Sequence, residues 1–259
     1  MKKGRKKYII ILIILVIYFV VLFMMFYNKK EKTISIVVDN YALFNYTKKD
    51  KWKNIPLNND KLDLYNWQNY NVYIDKSFNG NKYLWFNDKW YIFNKDKSPI
   101  NYYGSLFAIH TDFDYSLEPI NFEEQNINNY SYVYDVLKDN NIKIDNNYTV
   151  NSYLLLDIDN DGTEEEFYTI SNSLPIDFTA SKYYSFVFMV KNNKIYYLYK
   201  DTYDEMFDAC KPYISGILDV DNDKNYEIIV NCGKYSNKGA NVNLYKFNKK
   251  VFEKVVSNE

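Results

Sequence analysis

The chain has 259 residues, 47% hydrophobic and 19% aromatic, with a formal net charge of −1. That is ample apolar surface for one or two domains, and the charge balance excludes a nucleic-acid binder of the usual basic kind. With a single histidine, His110, the His-based zinc motifs are excluded as well.

Residues 1–7 form a basic tail, with Lys2, Lys3, Arg5, Lys6 and Lys7. Tyr8 to Tyr27 follows as an uncharged apolar run. As a helix it would be ~30 Å long, enough to cross the hydrocarbon core of a bilayer. It is apolar on every face, unlike a helix lying on a soluble core. Lys29, Lys30 and Lys32 follow it, offset partly by Glu31. The heavier positive flank is the N-terminal one, which predicts a cytoplasmic N-terminus and a membrane anchor over residues 8–27. The bulk of the chain is then outside. A cleaved signal peptide is the competing reading, but the run ends Phe23-Met24-Met25-Phe26-Tyr27, with no small pair for cleavage. Five basic residues and no acidic one lie before Asn28, so the exterior part is mildly acidic and attracts cations.

Residues 28–150 read as a β-rich extracytoplasmic region. Thr33 to Leu43 is expected as one strand, with Ile34, Ile36 and Val38 alternating. Thr47 to Asp63 is polar and expected as loop. Strands are expected again near residues 70–74, 83–86, 90–93 and 106–109, with Asn87-Asp88-Lys89 as a hairpin turn. Ser131 to Leu137 and Tyr203 to Ala209 are expected as short helices. Trp52, Trp67, Trp85 and Trp90 all fall in this half. They are read as core-filling, with stacking on cell-wall glycan as the alternative.

Residues 151–259 contain an internal repeat, about 151–200 and 213–256. Each copy runs strand, aspartate loop, strand, variable connection and hairpin. The first hairpin turns at Asn192-Asn193 and the second near Lys249. Four strands per copy is the size of a propeller blade. Two blades cannot close a ring, so the copies must pack on each other, on the N-terminal region or on a partner chain.

The loops carry the chemistry. One reads Asp157-Ile158-Asp159-Asn160-Asp161-Gly162-Thr163-Glu164-Glu165 and the other Asp219-Val220-Asp221-Asn222-Asp223-Lys224-Asn225-Tyr226-Glu227. Carboxylates at positions 1, 3, 5 and 9 of a tight loop can converge on one hard cation, and calcium prefers such oxygen ligands. An EF-hand would need an acid at position 12, where this chain has Tyr168 and Val230, and helices on both sides. A solvated acidic turn is the bland alternative, and its recurrence with the same spacing and flanks weighs against it. Asp112-Phe113-Asp114-Tyr115-Ser116 is a candidate decayed third loop, with Ile120 where the last acid would stand.

The two loops resemble those of the FG-GAP or VCBS-type repeat, whose calcium loops sit between propeller strands, as in the integrin head. The resemblance covers roughly residues 153–256. It implies a mainly β fold and a bound Ca2+ in each copy. The implied ligands are Asp157, Asp159, Asp161, Thr163 and Glu165 in the first, and Asp219, Asp221, Asp223, Asn225 and Glu227 in the second, with Thr163 and Asn225 serving through backbone carbonyls. Position 6 of such a loop turns with positive φ, which Gly162 adopts freely and Lys224 only at a cost of about 1 kcal/mol. The second site is therefore expected to be the weaker.

Cys210 and Cys232 are candidates for a disulfide, which an extracytoplasmic location permits; two free thiols are the alternative. The chain has no G-x-S-x-G elbow, no S-x-x-K and no dinucleotide or Walker fingerprint. The expectation is a single-pass, anchored surface protein of bacterial type, binding or structural, with the membrane and a cell-wall glycan or protein as partners. A surface glycoside hydrolase using an acidic pair is the alternative.

Overall fold

The computed structural model describes residues 16–19, 31–58, 60–115, 117–120, 122, 124–127, 129–143, 149–172, 182–205, 208–234 and 239–258. Residues 33–259 form one compact unit, separate from 1–32. Of the anchor expected over Tyr8 to Tyr27, only residues 16–19 are among those described, and they are helical. Among the described residues no helix is long and apolar enough to cross a membrane.

The compact unit is mainly β. Its first sheet has eight antiparallel strands: β1 (Thr33–Val38), β2 (Ala42–Thr47), β3 (Lys51–Asn54), β4 (Asn69–Ile74), β5 (Ser77–Asn87), β6 (Lys89–Phe93), β7 (Pro99–Ile100) and β8 (Leu106–Thr111). Their order across the sheet is β3-β2-β1-β8-β4-β5-β6-β7. Helix α1 (Ser131–Asp139) follows. The C-terminal half then makes two four-stranded meanders. The second sheet comprises β9 (Thr149–Leu156), β10 (Glu165–Ser171), β11 (Tyr183–Lys191) and β12 (Lys194–Tyr203). The third comprises β13 (Cys210–Leu218), β14 (Glu227–Lys234), β15 (Ala240–Phe247) and β16 (Phe252–Ser257).

Period-two alternation decides how these sheets stack. On β1, Ile34, Ile36 and Val38 face a core shared with Leu218, Ile229, Val242 and Leu244 of the third sheet. Ile228, Val230, Tyr245 and Phe247 point the other way, onto Leu154, Phe167, Val187 and Met189 of the second sheet. The third sheet is thus the middle layer, which is why β14 begins with six consecutive buried residues. The outer face of the second sheet, with Tyr168, Ile170, Phe186 and Phe188, is covered by α1 through Val133, Val136 and Leu137. That i, i+3, i+4 spacing is the apolar stripe of a surface helix. The outer face of the first sheet, with Val37, Leu43 and Val72, is closed by Ile55, Leu57 and the short 3-10 helix Asp60–Leu64 through Leu62. The two four-stranded sheets therefore form no ring; they stack on each other, and the third stacks on the N-terminal sheet.

One half-buried acid ties the first and third sheets. Asp39, in the β1–β2 turn at φ 49, accepts the Leu106 N–H at 2.7 Å through Oδ1. Its Oδ2 accepts the Tyr213 hydroxyl at 2.7 Å and the Asn231 side-chain amide at 2.8 Å. Burial raises its carboxyl above the usual range, against the opposing pull of those donors.

Four local expectations are corrected. Thr33 to Leu43 is two strands, not one, broken by a turn over Asp39–Tyr41. The stretch expected as polar loop contains β3, an edge strand whose Lys51 and Lys53 are exposed. Tyr203 ends β12 instead of starting a helix; Asp204 and Glu205 are bends and Asp208 is a 3-10 position, while residues 206–207 of the expected helix lie outside the described residues. The four tryptophans also differ: Trp90 is fully buried, Trp52 packs half-buried on the core, Trp85 is half-buried and Trp67 is 45% exposed.

Candidate metal centre

Each aspartate loop joins the first two strands of its meander, β9 to β10 and β13 to β14. The residue at position 2, Ile158 or Val220, is wholly buried and plugs the loop into the core. The acids around it are then held by the loop's own backbone. Asp157 accepts the N–H groups of Asp161 at 2.9 Å and Gly162 at 2.8 Å. Asp219 does the same for Asp223 at 3.0 Å and Lys224 at 3.1 Å. Asp161 and Asp223 accept the N–H of Thr163 and Asn225, both at 2.9 Å. Glu165 reaches back to the Ile158 N–H at 3.0 Å, and Glu227 to the Val220 N–H at 2.9 Å. Positions 4 and 6 are left-handed in both copies: Asn160 and Gly162 in one, Asn222 and Lys224 in the other. Two loops of different sequence take one conformation, bond for bond. They are also linked, since the Tyr226 N–H donates to the Ile158 carbonyl at 3.2 Å.

This geometry gathers the carboxylates. One oxygen each from Asp157, Asp159 and Glu165 lie within 4.8 Å of one another, as do oxygens from Asp219, Asp221 and Glu227. Both triads could hold a metal ion. The donors are all carboxylate oxygens, a hard set that suits a hard divalent cation. Asp161 and Asp223 stand at the rim. Thr163 and Asn225 lie on the loops, where their N–H groups orient those rim aspartates. The candidate third loop does not assemble in this way: Asp112 accepts the Thr33 hydroxyl at 3.0 Å and faces His110 at 3.4 Å. The Nδ1 of His110 meets the Asn69 carbonyl at 2.8 Å.

A residue missed in the sequence stands in each cluster. The Lys191 ammonium lies 3.0 Å from Asp159, 2.7 Å from Asp161 and 2.5 Å from Glu165. The Lys246 ammonium lies 2.8 Å from Asp221, 2.8 Å from Asp223 and 3.0 Å from Glu227. Lys246 is the cross-strand partner of Glu227. Lys191 follows Val190, the partner of Glu166, and so occupies the corresponding place beside Glu165. A strand register, not a linear motif, carries this signal.

Burial pushes the Glu165 carboxyl up and the Glu227 carboxyl up to about 7, with the lysine and the loop N–H pulling each back. Burial works to lower both ammonium groups, and the surrounding acids outweigh it and raise them. Lys191 in turn holds Asp161 below the usual carboxylate range. One oxygen of each glutamate accepts the N–H at position 2 of its loop, and the other faces the lysine of the third strand of its sheet.

At the far end of β13 and β14, Cys210 and Cys232 form a disulfide with a Cα–Cα distance of 5.3 Å. No family model, curated protein or solved structure matches this chain.

Proposed function

We propose that the chain is a single-pass, membrane-anchored protein whose exterior part is a stacked β scaffold with a structural or binding role, organised by calcium at its two acidic loops. The observation that carries this reading is the twofold occurrence of one carboxylate cage, Asp157–Asp159–Glu165 and Asp219–Asp221–Glu227. Calcium suits it because every donor is a hard oxygen, in a loop resembling the FG-GAP type. Extracellular calcium modules function even with affinities of about 10⁻⁴–10⁻³ M, since the ion is abundant there. The disulfide fits the same compartment, because such bonds persist under oxidising conditions. The apolar run Tyr8 to Tyr27 behind a basic tail supplies the anchor. Exposed rings such as Trp67 and Tyr103 offer faces on which the sugars of a cell-wall glycan can stack.

Thermal unfolding of the exterior part, Asn28 to Glu259, tests the reading. Calcium at millimolar concentration should raise the melting temperature, since an ion that binds only the folded state stabilises it by about 2.7 kcal/mol at a hundredfold excess over Kd. Asp157→Ala should remove most of the rise and Asp219→Ala less, because the strained Lys224 weakens the second loop. An unchanged melting temperature at millimolar calcium would overturn the calcium assignment.

A further inference from the structure

The two lysines are more than surface partners of nearby acids. Glu165 and Glu227 are each 1% exposed, and the side chains of Lys191 and Lys246 are 13% and 22% exposed. These ion pairs are therefore shielded from the solvent that makes ordinary surface pairs weak. Each ammonium touches positions 3, 5 and 9 of its loop, the same three positions in both copies. The connection between the second and third strands differs in length between the copies, so the lysines share no fixed spacing from their loops. What they share is a place in the strand register beside the buried glutamate.

A calcium ion held by these carboxylates would need oxygens at about 2.3–2.6 Å. Two of the three carboxylates in each triad, those at positions 3 and 9, already have the ammonium nitrogen between 2.5 Å and 3.0 Å away. Ion and ammonium thus compete for the carboxylates at positions 3 and 9, which cannot serve both fully. Each loop supplies four carboxylates, from positions 1, 3, 5 and 9, against one ammonium. The remaining negative charge still favours a dication. The lysine stem is long and flexible enough to carry its head out to water when displaced.

We propose that Lys191 and Lys246 are tethered resident cations, so that calcium enters each loop by exchange, expelling the ammonium. This rests on the calcium reading above and adds what sets the affinity: the lysine holds the loop folded without metal and taxes the incoming ion. A site whose competent, lysine-out state is a minor population loses apparent affinity by that fraction.

The test is calcium binding and melting of the full-length chain in detergent, as wild type, Lys191→Met, Lys246→Met and Lys191→Arg. Removal of the ammonium should lower the melting temperature in chelator and tighten calcium binding at the altered loop by about tenfold or more. Lys191→Arg, which keeps a cation on the same strand position, should remain like wild type in both readouts. A Lys191→Met chain that folds only when calcium is added supports the exchange equally. If wild type binds calcium and both Met variants bind it with unchanged affinity, the exchange is overturned while the calcium reading stands. If wild type shows no response and the Met variants acquire one, calcium does not displace the lysine in the natural chain and the exchange is overturned. If no variant responds to calcium, the exchange is overturned.

Discussion

At position 6 of the two loops, Gly162 and Lys224 have φ of 88 and 68, left-handed values that an ordinary side chain adopts only with strain. What enforces them is the N–H at that position, which must point at the first aspartate of its loop. Lys224→Gly should therefore raise stability, by about 0.5–1 kcal/mol once the extra freedom of glycine in the unfolded chain is deducted. Gly162→Ala should lower it by about 1 kcal/mol. A Cβ at Gly162 would meet no atom within 4 Å, so the cost there is backbone strain alone. Denaturant unfolding of both variants checks the pair, and a loss of stability in Lys224→Gly would refute the argument. The acids and turn residues of the loops were legible because they interact within nine consecutive positions. Lys191 and Lys246 were not, since the partners stand 26 residues from Glu165 and 25 from Asp221 and meet only once strands pair.

Among the elements, the β13–β14 hairpin holds the most together. It carries the second acidic loop at one end and the disulfide at the other, and it lies in the middle layer of the stack. The bridge spans a sequence separation of 22, so replacing both cysteines by alanine should cost about 3 kcal/mol through the freed unfolded chain. Denaturation of the double variant beside the oxidised parent measures this, and equal midpoints would contradict a stapling role. Hairpins with a clear turn were legible: Asn192 and Asn193, both at positive φ, join β11 to β12 as Asn pairs do in type I′ turns. The β1–β2 break was not, because both strands are buried and their apolar residues run on with little interruption, and its turn at Asp39 contains no glycine or proline. β3 escaped notice for the opposite reason. An edge strand carrying exposed lysines reads as loop, although such charges are a usual guard against edge-to-edge pairing.

For the molecule as a whole, the two four-stranded meanders bury both their faces by stacking between caps. The N-terminal sheet closes one side of the pair and α1 the other. Because residues 33–259 are one compact unit, an anchor over residues 8–27 would leave the entire unit on one side of the membrane. Protease added outside intact cells should therefore digest the unit down to a short membrane-bound remnant once its folded state is opened with mild denaturant; full protection under conditions that leave the cells sealed would reverse the orientation. The amino-acid sequence alone determined the β class, the repeat and the two acidic loops, because each is written in neighbouring residues and their alternation. Only the tertiary structure decided which sheet lies in the middle, how the exposed faces are capped and that a lysine enters each cage. Those outcomes depend on contacts between segments far apart in the chain, where register and packing choose among partners that local pattern leaves equivalent.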